Sequence, residues 1–211
     1  MLSGEVGGIE FAGKLIVFEG LDFTGKTTQA RLLAHRLQEA GCEVVLTGEP
    51  GGTSVGNAVR EILLSRRNSG TLDDFAELLL FLVSRAQHAR EVVLPALEQG
   101  KTVVSSRYRL SSLAYQGYGR GIDVDLIERL NEEATRGRKA DITFLIDVPV
   151  DMALARKRGD HDRIEAESAR FYHRVRDGFL ELTAGDPSVH RIDGTGDVGA
   201  TAAAVARCLG L

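Results

Sequence analysis

The chain has 211 residues, the size of one compact domain at roughly 100 to 200 residues per unit, and its 43% hydrophobic and 27% charged residues exclude disorder for most of its length. A formal net charge of −4 excludes a general nucleic-acid coat or a membrane-surface protein, so any bound anion must be held by a local site. Cys42 and Cys208 are too few for a disulfide framework and too far apart for a CxxC motif; a cytoplasmic setting fits.

Met1 to Gly13 is Gly-rich and without hydrophobic pattern, with acidic Glu5 and Glu10 and no export signal. It is expected to be a loose leader (residues 1–13) ahead of a single domain at residues 14–211. The apolar run Lys14 to Glu19 predicts a first buried strand, and the amphipathic stretch Lys26 to Ala40, stopped by Gly41, a first helix. A second strand is expected over Glu43 to Thr47. The helical region Asp73 to Glu98 follows, stopped by Gly100, with a kink expected at Pro95. Its run Leu78 to Val83 is the longest apolar stretch, far below the ~18 residues of a membrane span. A third strand is expected over Thr102 to Ser106 and a helix over Val124 to Arg136. Beyond them come a fourth strand (Ile142 to Val148), helices over Val150 to Lys157 and Glu165 to Thr183, a shorter fifth strand (Val189 to Asp193) and a last helix (Val198 to Leu209). Strands alternating with helices predict an α/β fold, a doubly wound parallel β-sheet of about five strands with helices on both faces.

Between the first strand and first helix stands Gly20-Leu21-Asp22-Phe23-Thr24-Gly25-Lys26-Thr27, which matches G-x-x-x-x-G-K-[ST] in the right context. The pattern works because loop N–H groups and the positive end of the following helix form a concave anion site. Lys26 adds a mobile charge for β and γ phosphates, and Thr27 a hydroxyl oxygen for Mg²⁺, a hard cation that takes few protein ligands. With Thr28, the loop predicts binding of a nucleoside triphosphate and leaves the reaction open.

Four further segments narrow it: Glu49-Pro50-Gly51-Gly52-Thr53, Arg107-Tyr108, the run Ser111 to Gly121 containing Ala114-Tyr115-Gln116-Gly117, and Asp162-Arg163-Ile164-Glu165. In this order, after Glu19-Gly20-Leu21-Asp22, they resemble the bacterial thymidylate kinases from Lys14 to about Leu182. The resemblance implies a homodimer that transfers the γ-phosphate of Mg·ATP to dTMP. It implies that Phe81 stacks on the thymine ring, that Arg60 and Arg85 meet the acceptor's phosphate end, and that Ser112 and Gln116 hold the base edge. Asp22, Glu49, Arg107 and Tyr115 complete the acceptor site. By pattern alone, Phe81 in its apolar run reads as core, and the two arginines as solvated helix faces.

The resemblance also makes residues 156–164 a lid over ATP and implies Arg158 and Arg163 as its catalytic arginines, beside Lys26 and Arg107; Lys157 reads as a solvent-facing turn residue. Arginines suit the chemistry, because phosphoryl transfer brings two polyanions together and needs positive charge more than a base. The five histidines read as bystanders. Three positions depart from the family's pattern: Gly48 where Arg is common, Ser106 where Asp precedes the Arg-Tyr pair, and Phe23 where the loop usually has Gly. Asp147, or Glu19 and Asp22 by the phosphate loop, is expected to support Mg²⁺ in place of that Asp. The alternatives are a kinase of another acceptor such as dUMP, or an ATP-binding regulatory module impaired in transfer.

Overall fold

The computed structural model describes residues 5–6 and 9–211, with side chains from Phe11 onward. Two short strands, β1 (Glu5–Val6) and β2 (Ile9–Glu10), pair as an antiparallel hairpin. The main sheet contains β3 (Leu15–Glu19), β4 (Val44–Gly48), β5 (Thr102–Ser106), β6 (Ile142–Asp147) and β7 (Val189–Asp193), all parallel, in the order β4-β5-β3-β6-β7. Every residue of β3 is buried, as a central parallel strand covered on both faces requires. The edge strands β4 and β7 are partly exposed.

The alternation of β3 divides the core. Ile16 and Phe18 face α1 (Lys26–Glu39) and α9 (Val198–Cys208), meeting Ala30, Leu33, Leu37 and Val205. Leu15 and Val17 face the other way, onto Val93, Ala96 and Tyr108. Phe11 is fully buried in the first of these clusters, Thr102 donates its hydroxyl to the Phe11 carbonyl at 2.7 Å, and Gly13 N–H bonds Gly100 O at 3.0 Å. The packed structure therefore reaches back to Phe11, three positions before the boundary drawn from pattern; one apolar residue among glycines carries no periodic signal. Residues 1–4 and 7–8 of the expected leader lie outside the described residues.

The long helical region is α3 (Asp74–His88), a wide π turn at Ala89–Val93 and α4 (Leu94–Glu98). Pro95 has no N–H to give, and the i→i+5 turn ahead of it absorbs the missing bond without ending the helix. Two helical segments were not read from the sequence. One is α2 (Ser54–Leu64), capped by Thr53 Oγ1 on Gly56 N–H at 2.9 Å. The other is α5 (Arg109–Ser112), which runs into a π segment at Leu113–Gly119. Gly, Asn and β-branched residues in the first, and Ser and Gly in the second, mask helical propensity.

The remaining helices are α6 (Val124–Thr135), α7 (Val150–Ala155) and α8 (Ala169–Leu182). The last starts at its Ser168 cap, because Asp162 and Glu165 cap each other's N–H groups (3.1 and 2.8 Å) in a separate turn before it. No helix among the described residues is long and apolar enough to cross a membrane.

Glycine is required where α8 meets the π segment: a Cβ on Gly178 would lie 2.5 Å from the Tyr118 ring. Gly178→Ala is accordingly expected to cost about 1 to 3 kcal/mol, read as a lower denaturant midpoint with unchanged slope. An unchanged midpoint would mean that this contact does not govern the packing of α8.

Candidate active site

The phosphate loop leaves β3 at Gly20 with φ +133°, passes Phe23 at +65° and enters α1 through Gly25 at +88°. A Cβ at Gly20 would stand 2.5 Å from Ile146 O, so only glycine lets the loop turn against β6. Thr24 Oγ1 donates to Leu21 O at 2.9 Å, and Lys26 Nζ donates to the same carbonyl. Lys26 is thus folded over the loop, 6% exposed. Burial first, and the charge of Arg107 second, press its ammonium pKa down to about 7 against the pull of Asp22 and Glu19.

Arg107 holds this loop to the end of β5. Its backbone is left-handed (φ +73°), its N–H donates to Phe18 O at 2.9 Å, and its guanidinium pairs with Asp22 and donates to Ser111 Oγ at 3.1 Å. Asp22 also accepts from the hydroxyls of Tyr115 (2.9 Å) and Tyr172 (3.2 Å). Burial alone would raise the Asp22 carboxyl; Arg107 and Lys26 outweigh it and hold it below its usual value. Asp22, Arg107 and Tyr115 all line one cavity of about 340 Å³ with Lys26, Thr27 and Thr28.

The opposite wall of that cavity carries Arg60, Phe81, Ser112 and Gln116. Phe81 is only half-buried, which overturns the core reading of the pattern: α3 turns this ring toward the cavity. Arg60 donates to Pro50 O at 2.9 Å. Glu49 also lines the cavity, accepting from Arg85 Nε at 2.8 Å and standing 3.1 Å from His88 Nδ1. Arg85 is 1% exposed and bonded to Ser112 Oγ (2.7 Å), Asn131 Oδ1 (2.6 Å) and Tyr108 O (2.8 Å). The structure therefore groups Arg85 with Ser112, the base-edge residue, and not with Arg60. His88 bridges Glu49 and Thr47 Oγ1 (2.7 Å), so this histidine is part of the frame and no bystander.

The segment 156–164 is split. Arg158 is exposed and makes no hydrogen bond or ion pair among the described residues. Arg163 is 7% exposed, donates to Leu63 O at 2.9 Å and lies 2.6 Å from Glu77 Oε2; its side chain anchors the segment to α2 and α3 and does not line the cavity. Lys157, read as solvent-facing, is half-buried, donates to Glu165 O and stands 6.0 Å over the Phe23 ring. His161 meets the same ring edge-on at 6.2 Å between centroids.

Of the three carboxylates expected to support Mg²⁺, Asp22 lines the cavity paired with Arg107, and the other two are not placed for it. Glu19 is fully buried, accepting from Tyr108 N–H (2.8 Å), Ser111 N–H (3.2 Å) and Ser111 Oγ (2.6 Å), so it caps α5. Asp147 lies outside the cavity lining, tied to Arg176 at 2.8 Å and Arg191 at 3.0 Å. What stands beside Thr27 Oγ1 is Ser106 Oγ, at 3.2 Å. Ser106 is the cross-strand partner of Gly48, so two of the three departures from the family pattern are one contact: a Cβ at Gly48 would come 3.0 Å from Ser106 O. No group of three or more His, Cys, Asp or Glu among the described residues forms a cation site. Two hydroxyl oxygens fit a hard cation that takes its other ligands from phosphate and water.

An anion-binding loop facing an aromatic and polar wall across one cleft suits transfer between two phosphorylated ligands, and on this fold that defines a nucleoside monophosphate kinase. The chain belongs to the thymidylate kinase family, whose model matches residues 18–205. It is 48% identical over 183 residues to the thymidylate kinase of Pelotomaculum thermopropionicum, covering 85% of this chain and 84% of that protein. Over 208 residues it is 46% identical to that of Geobacter sulfurreducens, covering 93% and 96%. The crystal structure of the Ehrlichia chaffeensis thymidylate kinase superposes with a TM-score of 0.76 at 38% identity, covering 95% of this chain and all of the other.

Glu77, Asn131, His88 and Tyr172 were missed by the sequence reading. Each is a buried polar residue on a helix, and only its spacing from apolar neighbours on the same face could have pointed to it.

The Lys26 environment sets a pH dependence. In the free protein the ammonium loses its proton near pH 7, and a polyphosphate beside it raises its pKa again, so binding takes up a proton above that pH. Nucleotide affinity is expected to fall by up to about tenfold per pH unit above 7. Lys26→Arg, charged throughout, should flatten the profile. Calorimetry in buffers of different ionisation enthalpy measures the uptake; none between pH 7 and 9 would contradict the assignment.

Proposed function

We propose that this chain transfers the γ-phosphate of Mg·ATP to dTMP, giving dTDP and ADP, and that it works as a cytoplasmic homodimer. The observation that carries the reading is Arg107: it pairs with Asp22 of the phosphate loop and bonds Ser111 of the segment that presents Ser112 and Gln116, so one guanidinium lies where donor and acceptor phosphates converge. The loop's N–H groups and Lys26 cradle the donor's phosphates. Phe81 offers a flat apolar face to a pyrimidine, and Arg60 stands at the acceptor's phosphate end. The attacking oxygen of a nucleoside monophosphate is already anionic, so no general base is needed; catalysis rests on positioning and positive charge. Arg158 on the lid, a cation without a partner among the described residues, is what closure brings toward the donor. Thr27 and Ser106 would hold Mg²⁺, which when bound would supply positive charge against that of the phosphates.

The dimer reading rests on an exposed apolar face. Phe75, Leu79 and Val83, spaced four apart on α3, and Val55 and Ile62 on α2 are 42% to 47% exposed, and a second copy would cover them. The opposite side of α3 bears Phe81 and Arg85, so pairing would brace the helix that carries the acceptor site.

ADP release from Mg·ATP is the test, run with dTMP, dUMP and no acceptor. Turnover is expected with dTMP, about 10- to 200-fold less efficiently with dUMP, which lacks one methyl, and at background with no acceptor or with Lys26→Ala. The active species should sediment at about twice 22.8 kDa. ATP binding without turnover on any acceptor would overturn the reading.

A further inference from the structure

Of the three departures from the family pattern, Gly48 and Ser106 form one contact, and Phe23 stands apart from it. Its backbone has φ +65°, a left-handed conformation that glycine adopts freely and a bulky residue only under constraint. The constraint comes from both neighbours: Asp22 pairs with Arg107, and Thr24 Oγ1 donates to Leu21 O at 2.9 Å. Strain of this kind collects where the side chain it aims has a task. Here it aims a half-buried ring at the segment 156–164.

That segment is pinned at both ends. Arg156 Nη2 donates to Gly194 O at 2.9 Å and to Thr195 O at 3.3 Å. At the other end Arg163 N–H donates to Leu64 O at 3.1 Å, and its Nε to Leu63 O at 2.9 Å. Between these anchors Arg158, Gly159 and Asp160 are exposed, and none of them makes a hydrogen bond or ion pair among the described residues. What meets the phosphate loop is the pair flanking that apex. The Lys157 ammonium stands 6.0 Å from the Phe23 ring centroid, and the His161 ring lies 6.2 Å away at an interplanar angle of 76°. An aromatic ring draws a cation to its electron-rich face and a second ring to a perpendicular approach, and both distances are within reach of those attractions. Lys157 is steadied for its contact by donating to Glu165 O, and Asp162, Ile164 and Glu165 line the active-site cavity together with Phe23.

Arg158 follows Lys157 directly, so the place where Lys157 sits on the ring decides where Arg158 starts toward the donor's phosphates. We propose that Phe23 is a positioning residue, the seat on which Lys157 and His161 hold the lid against the phosphate loop, so that lid and loop act as one unit and Arg158 is delivered in register with the phosphates the loop cradles. A glycine at this position would give the loop the same path without the seat. Two partly exposed contacts of this kind shift a population by about 3- to 10-fold. That is enough to bias a lid closed and weak enough to let it open for product release. The inference rests on the reading of Arg158 as the lid's cation given above.

Phe23→Gly tests it, since glycine suits the backbone and removes the ring. In the free protein, tryptic cleavage after Lys157 and Arg158 should become about 3- to 10-fold faster. The single-turnover rate of transfer with both nucleotides saturating should fall by a similar factor. The KM for dTMP, which a general loosening of the loop would raise through Asp22 and Arg107, should stay unchanged. Phe23→Tyr, which keeps the ring, should restore both cleavage and transfer. His161→Ala should also speed cleavage, and the double variant should be no faster than Phe23→Gly alone, because one contact cannot be lost twice. Should Phe23→Gly fail to fold, NMR of the free wild-type protein decides: nuclear Overhauser contacts between the His161 and Phe23 ring protons are expected, and their absence would refute the seat. Unchanged cleavage or unchanged transfer in folded Phe23→Gly, or additive effects in the double variant, would overturn the proposal. Transfer at the wild-type rate by Arg158→Ala would strike the reading of the lid's cation itself, a result separable from cleavage of the free protein.

Discussion

The pairing of Asp22 with Arg107, each side chain only 16% exposed, is the constraint on which the rest of the site depends. It joins the phosphate loop to the end of β5 across the centre of the sheet. Through the Tyr115 and Tyr172 hydroxyls it also reaches the π segment and α8. A charge taken from water is tolerated only with a partner, and removing one member of such a pair costs about 3 to 5 kcal/mol. Arg107 accepts a left-handed backbone to reach Asp22, a strain of the order of 1 to 3 kcal/mol that the surrounding bonds must hold. The doubly wound topology makes the pairing possible, since β3 and β5 are neighbours whose carboxyl ends open at the same edge of the sheet.

Around this clamp the site is built in depth. Three polar groups of the cavity wall are each backed by a buried partner: Ser111 by Glu19, Ser112 by Arg85, Gln116 by Glu77. Glu49, Asn131 and the Tyr108 carbonyl fix Arg85 in turn. Such networks are costly when incomplete and rigid when satisfied, and rigidity is what positioning catalysis requires.

Strands bounded by turn residues could be read almost to the residue, as with the interior strand Thr102–Ser106 and even the short edge strand Val189–Asp193. The phosphate loop was legible because its chemistry dictates residue types at fixed spacing. The helix Ser54–Leu64 was not, since its cap at Thr53 lies inside a Gly-Gly loop and its face is broken by Gly56 and Asn57. Phe81 reads as core because an apolar run cannot reveal that one face of α3 borders a cavity. Asp147 and Glu19 looked available because they end strands, and sequence does not show which arginines and N–H groups will close on them. The pairing of Gly48 with Ser106 is a property of register: two departures 58 positions apart become one once β4 lies beside β5.

The most direct measurement is single-turnover transfer from Mg·ATP to dTMP by Asp22→Asn, with folding checked by thermal denaturation. The mutation keeps the shape of Asp22 and removes the charge that holds Arg107. If the clamp sets the geometry of transfer, the rate should fall about 100-fold, the cost of a misplacement near 1 Å, with ATP affinity changing much less. Transfer at the wild-type rate by a folded Asp22→Asn protein would contradict the account.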